Sequence, residues 1–257
     1  MKKDLVEKLV EHQHDMNFFL DSGAFTAFKS GKPIQLDTYC RFLESLPVKP
    51  WRYFMLDVIG DHKATMANYE TMLKRGFNPV PVFTPGQPME DIERYYETSD
   101  LIGFGGIAGA KNTAKTLGYI KLLMRHAKGR NVHLLGYTGL ENIKYFKPYS
   151  CDSSSWSSAA RFGSLPIYLG NGKLELINRE KLLIHPKPEW VKALNGLGLT
   201  MSYLQKRENW ISTRLQDYGL RSWVALSKDV EKNLKTKMFL AIGGSSQLEF
   251  AMAAHKR

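Results

Sequence analysis

One pattern dominates the chain: a short apolar run that ends at a polar residue or a glycine, followed by a segment with helical periodicity. Six such runs lie before residue 160, and they end at Asp21, Asp57, Thr84, Gly105, Gly136 and Asp152. Apolar runs this short are typical of strands that are buried on both faces of a parallel sheet. Because strand and helix signals alternate, the sequence predicts an α/β fold.

Two closures suit alternating strands and helices: an open doubly wound sheet and a closed barrel. The chain has 257 residues, close to the ~250 of a typical (β/α)8 barrel. We therefore expect a single TIM-like (β/α)8 barrel domain over residues 1–257. Its last third should be irregular, because residues 167–176 have the pattern of a β-hairpin with a type I′ turn at Asn171-Gly172.

Helical periodicity and end signals predict the segments between and after these strands. Asp37 is expected to be the N-cap of one helix, and Gly76 and Gly129 are expected to end two others. The predicted helices are 37–46, 61–75, 88–98, 112–128, 139–146, 188–195 and 199–217, and a last strand is predicted at 239–242.

The charge balance favours an anionic partner. Lys and Arg number 36 against 25 Asp and Glu, a formal net charge of +11, which suits a polyanion such as nucleic acid. Residues 125–130 and 228–237 are candidate phosphate contacts. Solubility alone is an equal explanation, because the positive residues are spread along the chain.

The expected compartment follows from what the sequence lacks. No apolar run reaches the ~18–20 residues of a membrane span, and the N-terminus has no signal-peptide core. The two cysteines, Cys40 and Cys151, cannot build a disulfide framework. We therefore expect a cytoplasmic protein with no membrane partner, and its oligomeric state is open.

Acidic side chains follow three of the predicted strands. Asp21, Asp57 and Asp152 each end an apolar run, and Gly105-Gly106 ends another. The C-terminal ends of parallel strands form the working face of such folds, so we expect these residues to converge. Three carboxylates with a glycine floor suit glycosidic-bond chemistry at a nucleoside, in which one attacks the anomeric carbon and another moves a proton on the departing base. Alternatively, the acids cap helices or stabilise turns.

Other site chemistries have weaker patterns. Asp57, Asp61 and His62 could join Asp21 around a divalent cation, which would make the protein a metal-dependent barrel hydrolase. The chain has no GxxxxGK[ST] phosphate loop, and the glycines at 103–106 do not complete a GxGxxG motif. We predict no cofactor and no bound metal.

Four segments resemble, in order, motifs of the tRNA-guanine transglycosylase superfamily. Residues 21–25, Asp-Ser-Gly-Ala-Phe, are similar to its Asp-Ser-Gly-Gly-Phe motif, and residues 105–109, Gly-Gly-Ile-Ala-Gly, resemble its Gly-Gly-Leu-Ala base-binding loop. Residues 133–139, His-Leu-Leu-Gly-Tyr-Thr-Gly, resemble the Tyr-Leu-Met-Gly-Val-Gly strand before the nucleophile. Residues 151–153, Cys-Asp-Ser, stand where the family has Phe-Asp-Cys, and Asp57 matches its guanine-binding aspartate.

The resemblance implies a pentosyltransferase that exchanges bases on a TIM barrel. Asp152 would displace guanine and hold the pentose covalently, and Asp21 would act as general acid and base. A 7-deazaguanine such as preQ0 would replace guanine after the nucleotide leaves its stack. The guanine and the incoming base would be bound by Ser22, Gly23, Asp57, Gln87, Gly105, Gly106 and Ile107.

Two departures from the family favour DNA over tRNA as the polymer. The tRNA enzymes hold a structural zinc with three cysteines and a histidine after the nucleophile, and this chain has no cysteine after Cys151. The chain is also shorter than those enzymes, and residues 161–257 are unlike theirs, so the motifs are confined to residues 18–160. The sequence thus most resembles the phage and bacterial branch that modifies DNA. The alternatives are the same reaction on tRNA, a metal-dependent barrel hydrolase and a non-catalytic DNA-binding protein.

Overall fold

The computed structural model describes residues 1–107 and 114–256, and within them the protein is a mixed α/β structure. Thirteen α-helices occur in this part of the chain: α1 (Lys3–Glu11), α2 (Ala24–Ser30), α3 (Leu36–Ser45), α4 (His62–Lys74), α5 (Glu90–Tyr96), α6 (Ala114–Ala127), α7 (Leu140–Phe146), α8 (Ser155–Arg161), α9 (Arg179–Ile184), α10 (Pro188–Gly196), α11 (Met201–Gln205), α12 (Ser212–Leu234) and α13 (Ser245–His255). A 3-10 helix spans Arg207–Trp210.

The strands confirm the α/β prediction. They are β1 (Phe19–Leu20), β2 (Arg52–Tyr53), β3 (Val82–Phe83), β4 (Leu101–Phe104), β5 (Asn131–Leu134), β6 (Ser150–Ser153), β7 (Ser164–Tyr168), β8 (Leu174–Asn178) and β9 (Lys237–Leu240). A five-stranded parallel sheet has the order β3-β4-β5-β6-β9, and β1-β2 and β7-β8 form two-stranded sheets. All six strands predicted before residue 160 are present, whereas the structure does not show a closed eight-stranded barrel.

Contacts divide the chain into two compact units. The first, here the N-terminal unit, comprises Leu9–Gly139 and Pro148–Ser150. The second, the C-terminal unit, comprises Met1–Lys8, Leu140–Lys147 and Cys151–Arg257. The single-domain organisation of residues 1–257 stays a prediction.

The strands of the N-terminal unit follow one another in parallel. Leu20 pairs with Tyr53, an isolated parallel bridge joins Phe54 to Val80, and β3 pairs with β4 and β4 with β5. In a flat sheet, four strand spacings of roughly 4.8 Å would separate β1 from β5 by about 19 Å. Yet the rings of Phe19 on β1 and His133 on β5 lie 5.0 Å apart, and Phe54 lies 5.3 Å from the same imidazole. The strands therefore curl strongly, with these rings on the inside of the curve.

Helix ends in the N-terminal unit follow mostly from local sequence. Asp61 is the N-cap of α4, where its carboxylate accepts a hydrogen bond from the Ala64 backbone N–H at 2.9 Å. Asp37, predicted as an N-cap, is not one: α3 begins one residue earlier, after Gln35, and the Asp37 carboxylate instead pairs with Arg75 at 2.6 Å. An ion pair to a neighbouring helix therefore replaces the expected cap.

The C-terminal unit contains the predicted hairpin. Tyr168 pairs with Leu174 in the antiparallel sheet of β7 and β8, and Asn171 and Gly172 both have positive φ, as a type I′ turn requires. Helix α12 packs closely on this hairpin, because a Cβ at Gly219 would lie only 3.1 Å from Pro166. The buried core beneath includes Leu165, Ile167, Ile177, Leu182, Trp190, Leu194, Leu204, Leu215 and Tyr218.

The single helix predicted over 199–217 is wrong. The structure ends α11 at Gln205 and begins α12 at Ser212. Two side chains satisfy carbonyls at the end of α11: Asn209 donates to the Tyr203 carbonyl at 2.7 Å, and the Trp210 indole donates to the Leu204 carbonyl at 2.7 Å. These bonds replace those that a continuing helix would form. No helix among the described residues is both long and apolar enough to cross a membrane.

Candidate functional site

The candidate site in the N-terminal unit is centred on two aspartates and a serine. Asp21 follows β1, Asp57 follows the segment that continues β2, and the parallel pairing of β1 and β2 brings both strand ends to the same edge. The Ser22 hydroxyl donates to Asp57 Oδ1 at 3.4 Å, and its oxygen accepts from the Ala24 N–H at 3.3 Å. We call Asp21 and Asp57 the carboxylate pair, and Ser22 is its hydroxyl donor. The structure thus brings together three of the predicted site residues.

The two acids of the pair differ in how far they are buried. Asp57 is partly buried and Asp21 is exposed. Burial, and to a smaller extent the neighbouring charge of Asp21, raises the pKa of Asp57 to about 6, even though a backbone N–H and the Ser22 hydroxyl lower it. Poor solvation of the ionised form therefore outweighs the donors available to it. A ligand that brings N–H donors would therefore stabilise the ionised form of Asp57.

Three side chains that sequence reasoning did not single out hold the segment before and after Asp57. Tyr39 on α3 donates to the Phe54 carbonyl at 2.6 Å. Two residues of α4 complete the support: Asn68 donates to the Leu56 carbonyl at 3.0 Å, and the Thr65 hydroxyl accepts from the Val58 N–H at 2.9 Å. The only sequence signal for them is a polar residue on the inner face of a predicted helix.

The glycine segment after β4 is built for close backbone approach. A Cβ at Gly106 would lie 2.3 Å from Pro85 Cδ, and its φ of +72° is one that residues with side chains rarely adopt. The Gly105 N–H donates to the Phe83 carbonyl at 2.8 Å, so it belongs to the sheet, and Ile107 is buried. Ala108 and Gly109, which complete the motif, lie outside the described residues.

Gln87, the predicted base-contacting amide, is buried and closes a turn. Its Oε1 accepts from the Thr84 N–H at 2.9 Å, and its Nε2 donates to the Tyr95 hydroxyl at 3.3 Å. These bonds fix the turn between β3 and α5. Gln87 therefore supports the loop that faces Gly106 through Pro85, and contact with a base stays a prediction.

Asp152, the predicted nucleophile, lies in the C-terminal unit. It is the third residue of β6 rather than the residue after a strand, and it is partly buried. Its surroundings are fixed by hydrogen bonds: the Ala241 N–H donates to the Ser153 carbonyl at 2.9 Å, and the Trp156 indole donates to the Ala241 carbonyl at 3.0 Å. This backbone is therefore anchored to β9 in the same unit.

The metal-site alternative gains no support from the geometry. Among the described residues, Asp21, Asp57, Asp61 and His62 do not form a cluster of three or more ligand atoms within 4.8 Å of one another. The Asp61 carboxylate instead caps α4.

The first basic stretch is largely engaged within the protein. In the 125–130 stretch, Arg130 forms a bidentate pair with Glu93 at 2.9 Å, and Lys128 contacts the same carboxylate at 2.8 Å. These donors hold the pKa of Glu93 down at about 2.

Helix α2, which follows Ser22, has two exposed aromatic rings, those of Phe25 and Phe28. The Lys29 ammonium lies 4.5 Å from the centre of the Phe25 ring.

No protein-family model matches this chain, and no curated protein or solved structure matches it significantly. The assignment of a function therefore depends on the residues and the geometry of the carboxylate pair.

Proposed function

We propose that this protein is a base-exchange pentosyltransferase that replaces guanine in DNA with a 7-deazaguanine. The observation that carries the proposal is the carboxylate pair, in which Asp57 has a pKa raised to about 6 by burial and by Asp21. At pH 7 the ionised form of Asp57 exceeds the protonated form by about ten to one. An ionised carboxylate is an acceptor only, which matches the N1–H and N2 amino donors of guanine.

The chemistry requires only side chains and the two bases. An Asp152 carboxylate oxygen bonds to C1′ while the C1′–N9 bond breaks, its electron pair stays on N9, and Asp21 donates the proton that guanine takes up. Asp21 then removes a proton from the incoming base, whose nitrogen attacks C1′ and releases Asp152. Asp152 is assigned as the nucleophile because of its sequence motif. The carboxylate pair is assigned its roles because of both its motif and its geometry.

The curvature of the N-terminal unit supports the barrel that this function implies. Because rings on β1, β5 and the end of β2 meet on the inside of the curve, the strands follow a barrel-like course. We propose that they belong to a (β/α)8 barrel whose strand ends carry the carboxylate pair. The free, buried cysteines Cys40 and Cys151 suit the reducing cytoplasm in which we place the reaction.

The polymer is tested by supplying labelled guanine or preQ0 with either duplex DNA or tRNA. We expect label in DNA, and label in tRNA alone would assign the tRNA alternative. Asp152→Asn should abolish both exchange and the protein–oligonucleotide adduct seen by intact mass after quenching, while DNA binding persists. Normal turnover by Asp152→Asn would overturn the mechanism.

Asp61→Asn is the matched control for loss of one carboxylate near the site. Asn caps a helix as well as Asp does, so this variant should exchange bases normally. If a chelator and Asp61→Asn both abolished base exchange, the activity would depend on a metal, and the metal-dependent hydrolase would replace the proposal.

A further inference from the structure

A cleft in the C-terminal unit has the donors and the charge of an anion site. It has a volume of about 490 Å³ and lies between α11, α13 and the first half of α12. This size is within the range of small-molecule sites. We call it the tyrosine–arginine cleft, and it is lined by Gly198, Leu199, Tyr203, Thr213, Arg214, Asp217, Tyr218, Arg221 and Phe250.

Hydrogen bonds inside the cleft occupy both lone pairs of the Tyr203 hydroxyl oxygen. The Tyr203 oxygen accepts from the Tyr218 hydroxyl at 2.8 Å and from Arg214 Nη1 at 3.3 Å. Burial and the neighbouring Tyr203 raise the pKa of Tyr218 well above its usual range, so Tyr218 keeps the proton that it donates. With both lone pairs of its oxygen used, Tyr203 can take part in a further hydrogen bond only by donating its own O–H.

The cations of the cleft differ in what they already bind. Arg221 forms a bidentate pair with Asp217, and its Nη1 donates to the Leu197 carbonyl at 3.0 Å. Arg214 is exposed, and among the described residues no carboxylate lies within 4.0 Å of its guanidinium. The lining of the cleft therefore carries one positive charge, that of Arg214, which Asp217 does not neutralise.

We propose that the tyrosine–arginine cleft binds the phosphate of a nucleotide, either free or within a nucleic-acid strand. Arg214, the Tyr203 hydroxyl and the Thr213 hydroxyl donate to the phosphate oxygens, and Phe250 gives the cleft an apolar wall for the nucleoside. An acceptor-rich anion satisfies all three donors, whereas a neutral or cationic ligand would leave the charge of Arg214 unpaired. This site shares no residue with the carboxylate pair and does not depend on base exchange.

Two probes without guanine separate the two sources of phosphate. Thymidine 5′-monophosphate is titrated by calorimetry, and a labelled oligothymidylate of about 12 nucleotides is titrated by fluorescence anisotropy. Binding of the mononucleotide identifies a nucleotide site, and binding of the strand alone identifies a contact to the nucleic-acid backbone. Failure of both probes to bind would overturn the proposal.

Arg214→Gln should weaken binding of the bound probe by about ten-fold, because it removes charge-assisted hydrogen bonds. For the strand, it should also make the slope of log K against log salt shallower by about 0.7. Arg161→Gln, an exposed arginine of α8 outside the cleft, is the matched control and should change affinity less than about two-fold. Equal losses in the two variants would show that only net charge matters and would overturn the site.

Tyr203→Phe tests the hydroxyl separately from the charge. It keeps the ring and the charge of Arg214 and removes the hydroxyl, both as a donor to the phosphate and as the acceptor from Arg214 and Tyr218. Affinity should therefore fall while the salt dependence stays that of the parent. Unchanged affinity would remove Tyr203 from the site, and circular dichroism of each variant confirms that it is folded.

Discussion

Asp57→Asn should stabilise the folded protein at neutral pH, although Asp57 is placed in the site. The pKa of Asp57 rises on folding from 3.8 to about 6, so the folded state binds its proton more tightly than the unfolded state does. A tenfold difference in proton affinity between the two states corresponds to about 1.4 kcal/mol, which puts the cost of the ionised form at up to about 3 kcal/mol. An asparagine removes this cost and still accepts from the Ser22 hydroxyl.

The sign of the pH dependence follows from linkage. Well below pH 3.8 the carboxyl is protonated in both states, and the cost is absent. The cost grows as the pH rises between 4 and 6 and is complete above 6. The parent should therefore lose stability across this window relative to Asp57→Asn.

Urea unfolding at pH 4 and at pH 7.5 measures the difference. We expect Asp57→Asn to gain about 1–3 kcal/mol at pH 7.5 and only about 0.5 kcal/mol at pH 4, with a melting temperature several degrees higher at the upper pH. Asp61→Asn removes the same charge from a protein of net charge +11 and keeps the helix cap, so it serves as the control. A gain of equal size at both pH values, or no gain at pH 7.5, would refute the electrostatic reasoning.

Three further predictions follow from the same unit. Gly106→Ala should destabilise the protein by about 1–2 kcal/mol, because a Cβ would meet Pro85 at 2.3 Å with φ at +72°. Its control is Gly118→Ala in α6, where a Cβ meets nothing within 4 Å. This control should stabilise the protein by about 0.5–1 kcal/mol in the same urea experiment. Tyr39→Phe should cost about 1–3 kcal/mol, since the Phe54 carbonyl loses its 2.6 Å partner, and an unchanged unfolding midpoint would contradict this. Binding of guanine, measured by calorimetry, should weaken as the pH falls below about 6, because protonated Asp57 is a poorer acceptor.

The alternation of apolar runs and helical segments was sufficient to predict the strands of the N-terminal unit. Runs such as 101–104 are short and apolar, as strands buried on both faces of a parallel sheet are, and glycines at 76 and 129 have the positive φ expected of residues just after helix ends. The hairpin turn was equally local, because Asn171-Gly172 tolerates the two positive φ values that few other pairs adopt. Such features depend on the backbone preferences of one or two residues.

Features that depend on distant partners were missed. Asp37 has the composition of a helix cap, but Arg75, 38 positions away, takes its carboxylate. Likewise, the break between α11 and α12 depends on Asn209 and Trp210 bonding back to carbonyls of α11, which periodicity does not reveal. The support of the carboxylate pair by Tyr39 is of the same kind, since it joins α3 to the segment after β2.

Asp57 and Asp61 show how an acid of the candidate site differs from a structural acid. Asp61 has the donor that a cap requires, the Ala64 N–H at 2.9 Å, and is satisfied within its own helix. Within the part of the chain that the structure describes, the one side-chain donor to Asp57 is Ser22, at the longer distance of 3.4 Å, and Asp21 adds a second negative charge nearby. If Asp57 had only a structural role, better donors or a neutral residue in its place would stabilise the protein at no cost to function. An acid that keeps its ionised form poorly satisfied is instead suited to a ligand that supplies the missing N–H groups, and this is the property that favours base recognition over turn formation at Asp57.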